Sequence, residues 1–418
     1  MNERPTILVV GAGPAGSAAA IVLARSGIEV AVVDRSRFPR DKCCGDGLTT
    51  GALRRLELLG LDPRKVASFT TVETLIASSP SGRVVRVPLN RSHGIYGAVA
   101  RRVDLDAALV DLARAAGATV IEGDGVTAIA QSEHGSGVKV TTESGTTYEA
   151  AMVLAADGAR STIRKLLRER ENHPASRAGS LAGRDAWFAY RQYASGVSER
   201  AAQELWVRFD SALLPGYGWS FPLGNGRANV GIGVPRQTGT SGRILRTAWN
   251  DTVASPFFTS LLGEGATLDD SVRAWPIPTG VRREDLTAWD GRVLFLGDAA
   301  ATADPFTGEG IAQAIESGVL AAECARAESP DVAASKYVSA IGDALFAEQR
   351  ISRAARALLS TPLGARAALR ASVIHPRVTS GVGRLLYEEI PRTTLTSPRR
   401  WGVIKEVNPG AFVALGSS

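Results

Sequence analysis

Three glycines at Gly11, Gly13 and Gly16, an acid at Asp34, adjacent thiols at Cys43 and Cys44, and the alternating triplet Tyr217, Trp219 and Phe221 are residues whose types and spacing can do chemistry. Gly11 permits a tight turn, Gly13 lets backbone come close to a pyrophosphate, and Gly16 lets a helix pack closely on a strand. A helix starting there offers free N–H groups and the positive end of its dipole to phosphate. Asp34, 18 residues after Gly16, suits a two-oxygen contact to ribose hydroxyls. That turn serves NAD and FAD equally well. A neutral thiol such as Cys44 can relay a proton, and so can the Tyr217 phenol. Because Tyr217, Trp219 and Phe221 alternate, a strand would present all three rings on one side. With Pro222 they make an apolar wall suited to a flat or polyprenyl hydrocarbon, held by burial at roughly 25 cal/mol per Å². The plainer alternatives are a sheet face packed on the core and cysteines that are merely small buried residues.

The elements that must position these groups are legible. Residues 6–10 form a short β-branched run, as a buried parallel strand would. Ser17–Ser26 reads as a small-residue helix ended by Gly27, and Glu29–Val33 as a second strand closing at Asp34. The loop from Asp41 to Thr50 leads into a helix at Gly51–Leu59. A helix over Asp104–Ala116, a strand at Ala118–Ile121, a hairpin around Val138–Thr147 and a strand at Ala151–Ala155 follow. Residues 183–285 change character: polar and apolar residues alternate, and five of the seven tryptophans lie there. This predicts an antiparallel sheet with one face toward a cavity. A strand at Val293–Leu296, a loop and an Ala-rich helix over Gly310–Ala327 come next, and the remainder reads as helical.

Composition narrows the classes. At 418 residues, 44% hydrophobic and 22% charged, the chain supports a sizeable core. Three cysteines, two of them adjacent, argue against a disulfide framework and for a reducing compartment. No secretory signal pattern and no apolar run long enough to span a bilayer is found, so a cytoplasmic location is expected. The net charge of +6 is mild, and Arg392, Arg399, Arg400 and Lys405 place much of the excess late in the chain. Such a surface is either simply solvated or meets an anionic cofactor, an acidic partner or a membrane face. No metal-ligand spacing and no aromatic-studded basic groove is present; neither a metal nor a nucleic acid is expected.

Two distant segments resemble those of para-hydroxybenzoate hydroxylase-like flavoproteins. Asp157-Gly158, in the run Ala155–Ser161 after a strand, is similar to their Asp-Gly motif. Gly297-Asp298-Ala299-Ala300 is similar to their Gly-Asp motif, where the Asp contacts the ribityl chain and the following helix points at the isoalloxazine. Arg102 sits where these proteins place an Arg facing the FAD phosphates. The resemblance therefore implies FAD, held by Gly11, Gly13, Ala15, Gly16, Asp34, Arg35, Arg102, Val126, Asp157, Gly158, Gly297 and Asp298. Pro305, Gly308, Gly310 and Ile311 would keep the last loop near the ring. Within this superfamily, Lys42-Cys43-Cys44-Gly45-Asp46-Gly47-Leu48 resembles the cysteine loop of geranylgeranyl reductases. Tyr217-Gly-Trp219-Ser-Phe221-Pro222 resembles their Tyr-x-Trp-x-Phe-Pro signature, and Asp304–Ile311 their last loop. The resemblance runs from residue 6 to about 325. It brings Cys44, Gly45, Asp46 and Gly47 to the flavin, with Cys44, Tyr217 and Trp219 as catalytic candidates.

The fold it implies is α/β: a discontinuous Rossmann-like FAD-binding domain (1–75, 95–165 and 285–330), an inserted, mainly antiparallel substrate domain (76–94 and 166–284) and a helical C-terminal region (331–418). The implied activity is reduction of C=C bonds in an isoprenoid or similar apolar metabolite, including a natural-product intermediate, by hydride from reduced flavin. A monooxygenase (hydroxylase or epoxidase) or halogenase on the same fold is the alternative, and a redox-silent FAD scaffold a third. Halogenases of this superfamily carry Trp-x-Trp-x-Ile-Pro where this chain has Tyr217, Trp219 and Phe221. No second Rossmann motif occurs, so electrons are expected from NAD(P)H binding transiently, or from ferredoxin or another donor protein. Peripheral membrane contact is a further expectation.

Overall fold

A computed structural model describes residues 2–3, 6–89, 92–132, 137–170, 186–236, 242–269, 271–327, 329–371, 375–387, 390–396 and 409–415. Arg399, Arg400 and Lys405, part of the late basic excess, fall outside the described residues.

The strand Ile7–Val10 is wholly buried, which its Ile-Leu-Val-Val sequence allows because helices cover both faces of a parallel sheet. It pairs in parallel with Val30–Asp34 on one side and Met152–Ala155 on the other. Thr119–Glu122 and Val293–Phe295 extend the parallel sheet outward, and Thr287–Ala288 adds an antiparallel edge. Consecutive strands at the centre, with late ones appended, make this a Rossmann-type layer.

The first helix begins at Pro14 rather than Ser17, because Gly13 caps it and proline suits the first helical position. It packs against the helix Ile311–Cys324 so closely that a Cβ on Gly318 would stand 2.2 Å from the Ala15 carbonyl. The small-residue composition of both helices is what permits that contact. Other expected elements hold within a few residues: Thr50–Leu58, Arg102–Ala115, the Val138–Thr142 and Thr147–Ala150 hairpin, and Val293–Phe295.

The second layer is a large, mainly antiparallel sheet in which Ala186–Ser195, Arg227–Pro235 and Tyr217–Gly224 lie side by side. Leu205–Arg208 continues it and pairs in parallel with Thr74–Ser78, which forms a hairpin with Val84–Pro88. One face, bearing Tyr190, Trp206, Val230 and Ile232, is covered by Trp249 and Phe258 from the helices Gly242–Val253 and Pro256–Leu262. The opposite face carries Ala189, Tyr193, Trp219 and Phe221. A layer of helices over 330–386 closes the molecule from behind.

Candidate active site

The glycine turn has the geometry that its residues require. Gly11 lies at φ +99°, where an L side chain is strained, and a Cβ there would stand 2.5 Å from the Ala156 carbonyl oxygen. Gly16 has no space at all, since its Cβ would fall 1.8 Å from the Gly11 carbonyl oxygen. Asp34 accepts from the Ala12 N–H at 2.7 Å through one oxygen and from the Ser36 N–H at 2.8 Å through the other. Each oxygen keeps lone pairs for a further donor.

Two clefts meet over this turn. One, enclosing about 1650 Å³, is lined by Gly11, Asp34, Arg35, Val126, Asp157 and Gly158. The other, about 1020 Å³, is lined by the Cys44 loop, Arg102, Gly297, Asp298, Gly308, Gly310 and Ile311, and by the rings of Tyr217, Trp219 and Phe221. Gly13, Lys42, Cys43 and Gly158 border both. The residues expected at a cofactor and those expected at a substrate are thus in one continuous groove.

Three expected residues are outside it. Pro222 is buried but lines neither cleft, because the alternation that puts Tyr217, Trp219 and Phe221 on one face turns Pro222 to the other. Pro305 also lines neither cleft; its carbonyl oxygen accepts from the Trp187 indole at 3.1 Å, so it ties loop to sheet. Gly16 lies beneath the groove as packing.

The loop 42–47 lies flat on the aromatic wall. A Cβ on Gly45 or Gly47 would come to 3.3 and 3.1 Å from the Phe221 ring. Ring centroids are 6.1 Å apart from Tyr217 to Trp219 and again from Trp219 to Phe221. Beneath the loop is a buried network that residue types alone do not reveal. Asn229 donates to the Cys44 carbonyl at 2.9 Å and to the Asp46 carboxylate at 2.8 Å, and accepts from the Trp219 indole at 2.9 Å. The Tyr193 hydroxyl donates to the same carboxylate at 2.9 Å. Burial dominates over the opposing pull of Arg191 and these donors and pushes the Asp46 carboxyl up to about 6. Burial likewise pushes Cys44 up to about 11 and Cys43 to about 12, so both stay thiols at neutral pH. Cys43 faces the Arg273 carbonyl at 3.4 Å.

The register explains why Asn229 is there. Asn229 pairs with Phe221 on one side and Tyr193 on the other, Gly231 with Trp219 and Arg191, and Gly233 with Tyr217 and Ala189. Each large ring is matched by a small or polar residue on the next strand. A Cβ on Gly231 would fall 2.2 Å from the Trp219 ring. A two-residue Asn225-Gly226 turn, both at positive φ, starts this hairpin, and a bulge between Pro222 and Gly224 then shifts the register by one residue to bring Phe221 opposite Asn229.

The loop after Gly297-Asp298 is fixed from both sides. Asp298 pairs with Lys42 at 3.0 Å across the cleft. Asp304 accepts from the N–H groups of Phe306 and Thr307 at 3.0 and 2.8 Å through one oxygen. Its other oxygen takes Ser352 at 2.6 Å and the guanidinium of Arg392. The Tyr217 hydroxyl donates to the Thr307 carbonyl, which holds its proton against the loop rather than free in the cleft. Arg102 is clamped by Asp106 in two bonds of 2.7 Å and still lines the cleft, so its charge is oriented, not lost.

FAD fits these residues. One oxygen of Asp157 is buried without a partner among the described residues, an acceptor that a cofactor hydroxyl or its water would satisfy. The first-turn N–H groups of two helices, Pro14–Arg25 and Ile311–Cys324, begin at the groove.

A glycine-turn layer joined through such a groove to an aromatic-faced sheet defines an FAD-dependent oxidoreductase. The chain belongs to the FAD binding domain family, which residues 4–323 match, and within it to the geranylgeranyl reductases. Among its relatives is a menaquinone reductase of Mycolicibacterium smegmatis, 34% identical over 77% of this chain and 76% of that one. A digeranylgeranylglycerophospholipid reductase of Methanopyrus kandleri is 32% identical over 79% of this chain and 83% of its own. In fold, the chain matches a geranylgeranyl bacteriochlorophyll reductase-like protein of Thermoplasma acidophilum with a TM-score of 0.79 at 23% identity, covering 97% of this chain and 100% of that one.

Proposed function

We propose that this protein saturates C=C bonds of an isoprenoid chain or a comparably apolar metabolite. The observation that carries the reading is a second, apolar cavity of about 730 Å³ beyond the aromatic wall, lined by Leu75, Leu205, Val207, Phe209, Leu386 and Tyr387. It shares Gly47, Tyr217, Phe221, Thr307 and Glu309 with the cleft that would hold the flavin ring. A prenyl chain there gains about 4 kcal/mol per five-carbon unit buried, at ~0.8 kcal/mol per carbon. The relatives' names, a menaquinone reductase and a digeranylgeranylglycerophospholipid reductase, point to prenylated substrates.

Once bound and reduced, FAD would supply hydride at this site. The protein's own residues do the rest. Gly11 to Gly16, Asp34, Arg102 and Asp157 hold the cofactor, and Trp219 and Phe221 lay the alkene flat and keep water out. Cys44, a thiol at neutral pH, gives a proton to an alkene carbon and regains one from solvent. Tyr217 holds the 304–310 loop against the sheet. Electrons enter from a transient donor, NAD(P)H or ferredoxin.

The test is turnover of a prenyl alkene by chemically reduced enzyme, first without oxygen and then under labelled dioxygen. A product gaining two hydrogens and no label supports the reading. Incorporated label would establish an oxygenase instead. Cys44→Ala should keep the flavin spectrum and slow turnover by about 10²-fold or more; unchanged turnover removes Cys44 from the mechanism.

A further inference from the structure

The helices Ala347–Leu359 and Pro362–Ala371 meet in a short turn whose tip carries Leu358 and Leu363, 60% and 77% exposed. Ala357, Pro362 and Ala367 beside them are exposed as well. On the second helix Leu363, Arg366, Ala367 and Arg370 follow the spacing that brings residues onto one helical face, and all four are exposed. Residues 347–371 hold five arginines and a single acid, Glu348. The tip is therefore both apolar and basic.

Its other side leads to the substrate cavity. Leu369, on the same helix, packs with Leu386 on a cluster that contains Leu75, Leu205 and Tyr387. Those four, Leu386 included, also line the apolar cavity. One helical layer thus presents leucines and arginines to the outside and walls the apolar cavity on the inside.

We propose that this tip docks the protein on an anionic lipid surface. Leu358 and Leu363 enter the boundary between headgroups and acyl chains, and Arg366 and Arg370 meet the lipid phosphates. Exposed leucines rimmed by arginine on a convex turn suit a fluid interface. A protein partner would instead need a broad face packed to interior density. The charge selects anionic over zwitterionic lipid, since juxtaposed arginines gain only from a negative surface potential. Docking of this kind stands apart from the alkene chemistry, because its measurement involves no substrate.

The experiment is sedimentation of the FAD-loaded full chain with vesicles of phosphatidylglycerol and phosphatidylcholine, against vesicles of phosphatidylcholine alone. The expected result is binding to the first, little to the second, and release as salt rises. Arg366→Gln/Arg370→Gln should cut partitioning by roughly 25-fold, about fivefold per arginine. Leu358→Ser/Leu363→Ser should lower it at least as much, with flavin absorbance and melting temperature unchanged in both. Absence of binding to anionic vesicles at low salt overturns the proposal, and so does unchanged partitioning of both variants. A dimer that the leucine substitutions dissolve, with no vesicle binding, would make the tip a self-contact and overturn it equally.

Discussion

Replacing Asp46 by Asn separates the buried network from the thiol it supports. The substitution is nearly isosteric, and asparagine tolerates the left-handed backbone at this position, φ +64°, better than most residues. In the native protein the carboxylate accepts from Tyr193 and Asn229 through one oxygen, and from the Arg102 N–H at 3.3 Å through the other. An amide carbonyl can keep the first pair, leaving its NH₂ opposite the weaker third donor. The loss is about 1–3 kcal/mol of hydrogen bonding. Against that stands the cost of burying the charge. The carboxyl moves from 3.8 to about 6 on folding, so the folded state binds its proton more tightly than the unfolded chain. Its contribution to stability is full below pH 3.8 and is lost as pH rises through 6, by about 3 kcal/mol in all.

The amide of the Asp46→Asn variant does not titrate. Denaturant unfolding of the flavin-loaded wild type and of this variant, at a series of pH values from 4 to 7.5, should therefore show the wild type losing stability relative to the variant as pH rises. The difference should change by about 2.4 kcal/mol over that range, with most of it between pH 4 and 6. An infrared carboxylic-acid band present at pH 5 and absent in the variant would report the same proton directly. Parallel stability curves, agreeing within about 0.5 kcal/mol, would refute the view that burial outweighs the Arg191, Asn229 and Tyr193 contributions at this site.

Two other substitutions probe the scaffold. Gly231→Ala, whose Cβ would fall 2.2 Å from the Trp219 ring and 2.4 Å from the Tyr190 carbonyl, should destabilise by about 3 kcal/mol and shift tryptophan emission; a variant with native stability and emission would contradict the pairing of Trp219 with Gly231. Arg392→Gln strands Asp304 among its backbone donors and should cost about 3–5 kcal/mol, with raised flavin fluorescence as the 304–310 loop loosens; unchanged flavin fluorescence would mean the loop holds itself.

The cofactor half of the groove is legible because it is local. Gly11, Gly13, Gly16 and Asp34 lie within one strand–helix–strand unit, and the need for glycine at Gly11 and Gly16 comes from contacts inside that unit or one strand away. Gly297-Asp298 is readable because an apolar strand precedes it. The support for the thiol loop is not local. Asn229 bonds to Cys44, 185 residues away, and its position there depends on the register between two strands. The Asn225-Gly226 turn and the alternation Asn229-x-Gly231-x-Gly233 are plain in the sequence, but the bulge between Pro222 and Gly224 that shifts the register by one residue is not. The same alternation excludes Pro222 from the aromatic face. Trp187, Tyr193 and Arg191 were hidden for a further reason: their strand pairs on both edges, and nothing in their own stretch says which neighbours flank it.

The C-terminal helices are a part of the site and not an appendage. The match to the FAD binding domain ends at residue 323, yet the loop that would face the flavin is held from behind by residues beyond it. Gln349 donates to the carbonyls of Thr302 and Ala303 at 3.0 and 3.3 Å and accepts from the Val281 N–H at 3.1 Å. Ser352 and Arg392 share an oxygen of Asp304, while Tyr387 and Leu386 wall the apolar cavity. Gln349, Ser352 and Arg392 thus hold the loop after Gly297-Asp298, and Leu386 and Tyr387 wall the apolar cavity. A change in this layer can therefore alter which chain enters the cavity while the glycine turn, the Asp34 carboxylate and the thiol loop stay as they are. Within one flavoprotein family, that is a physical route by which substrate can diverge faster than cofactor.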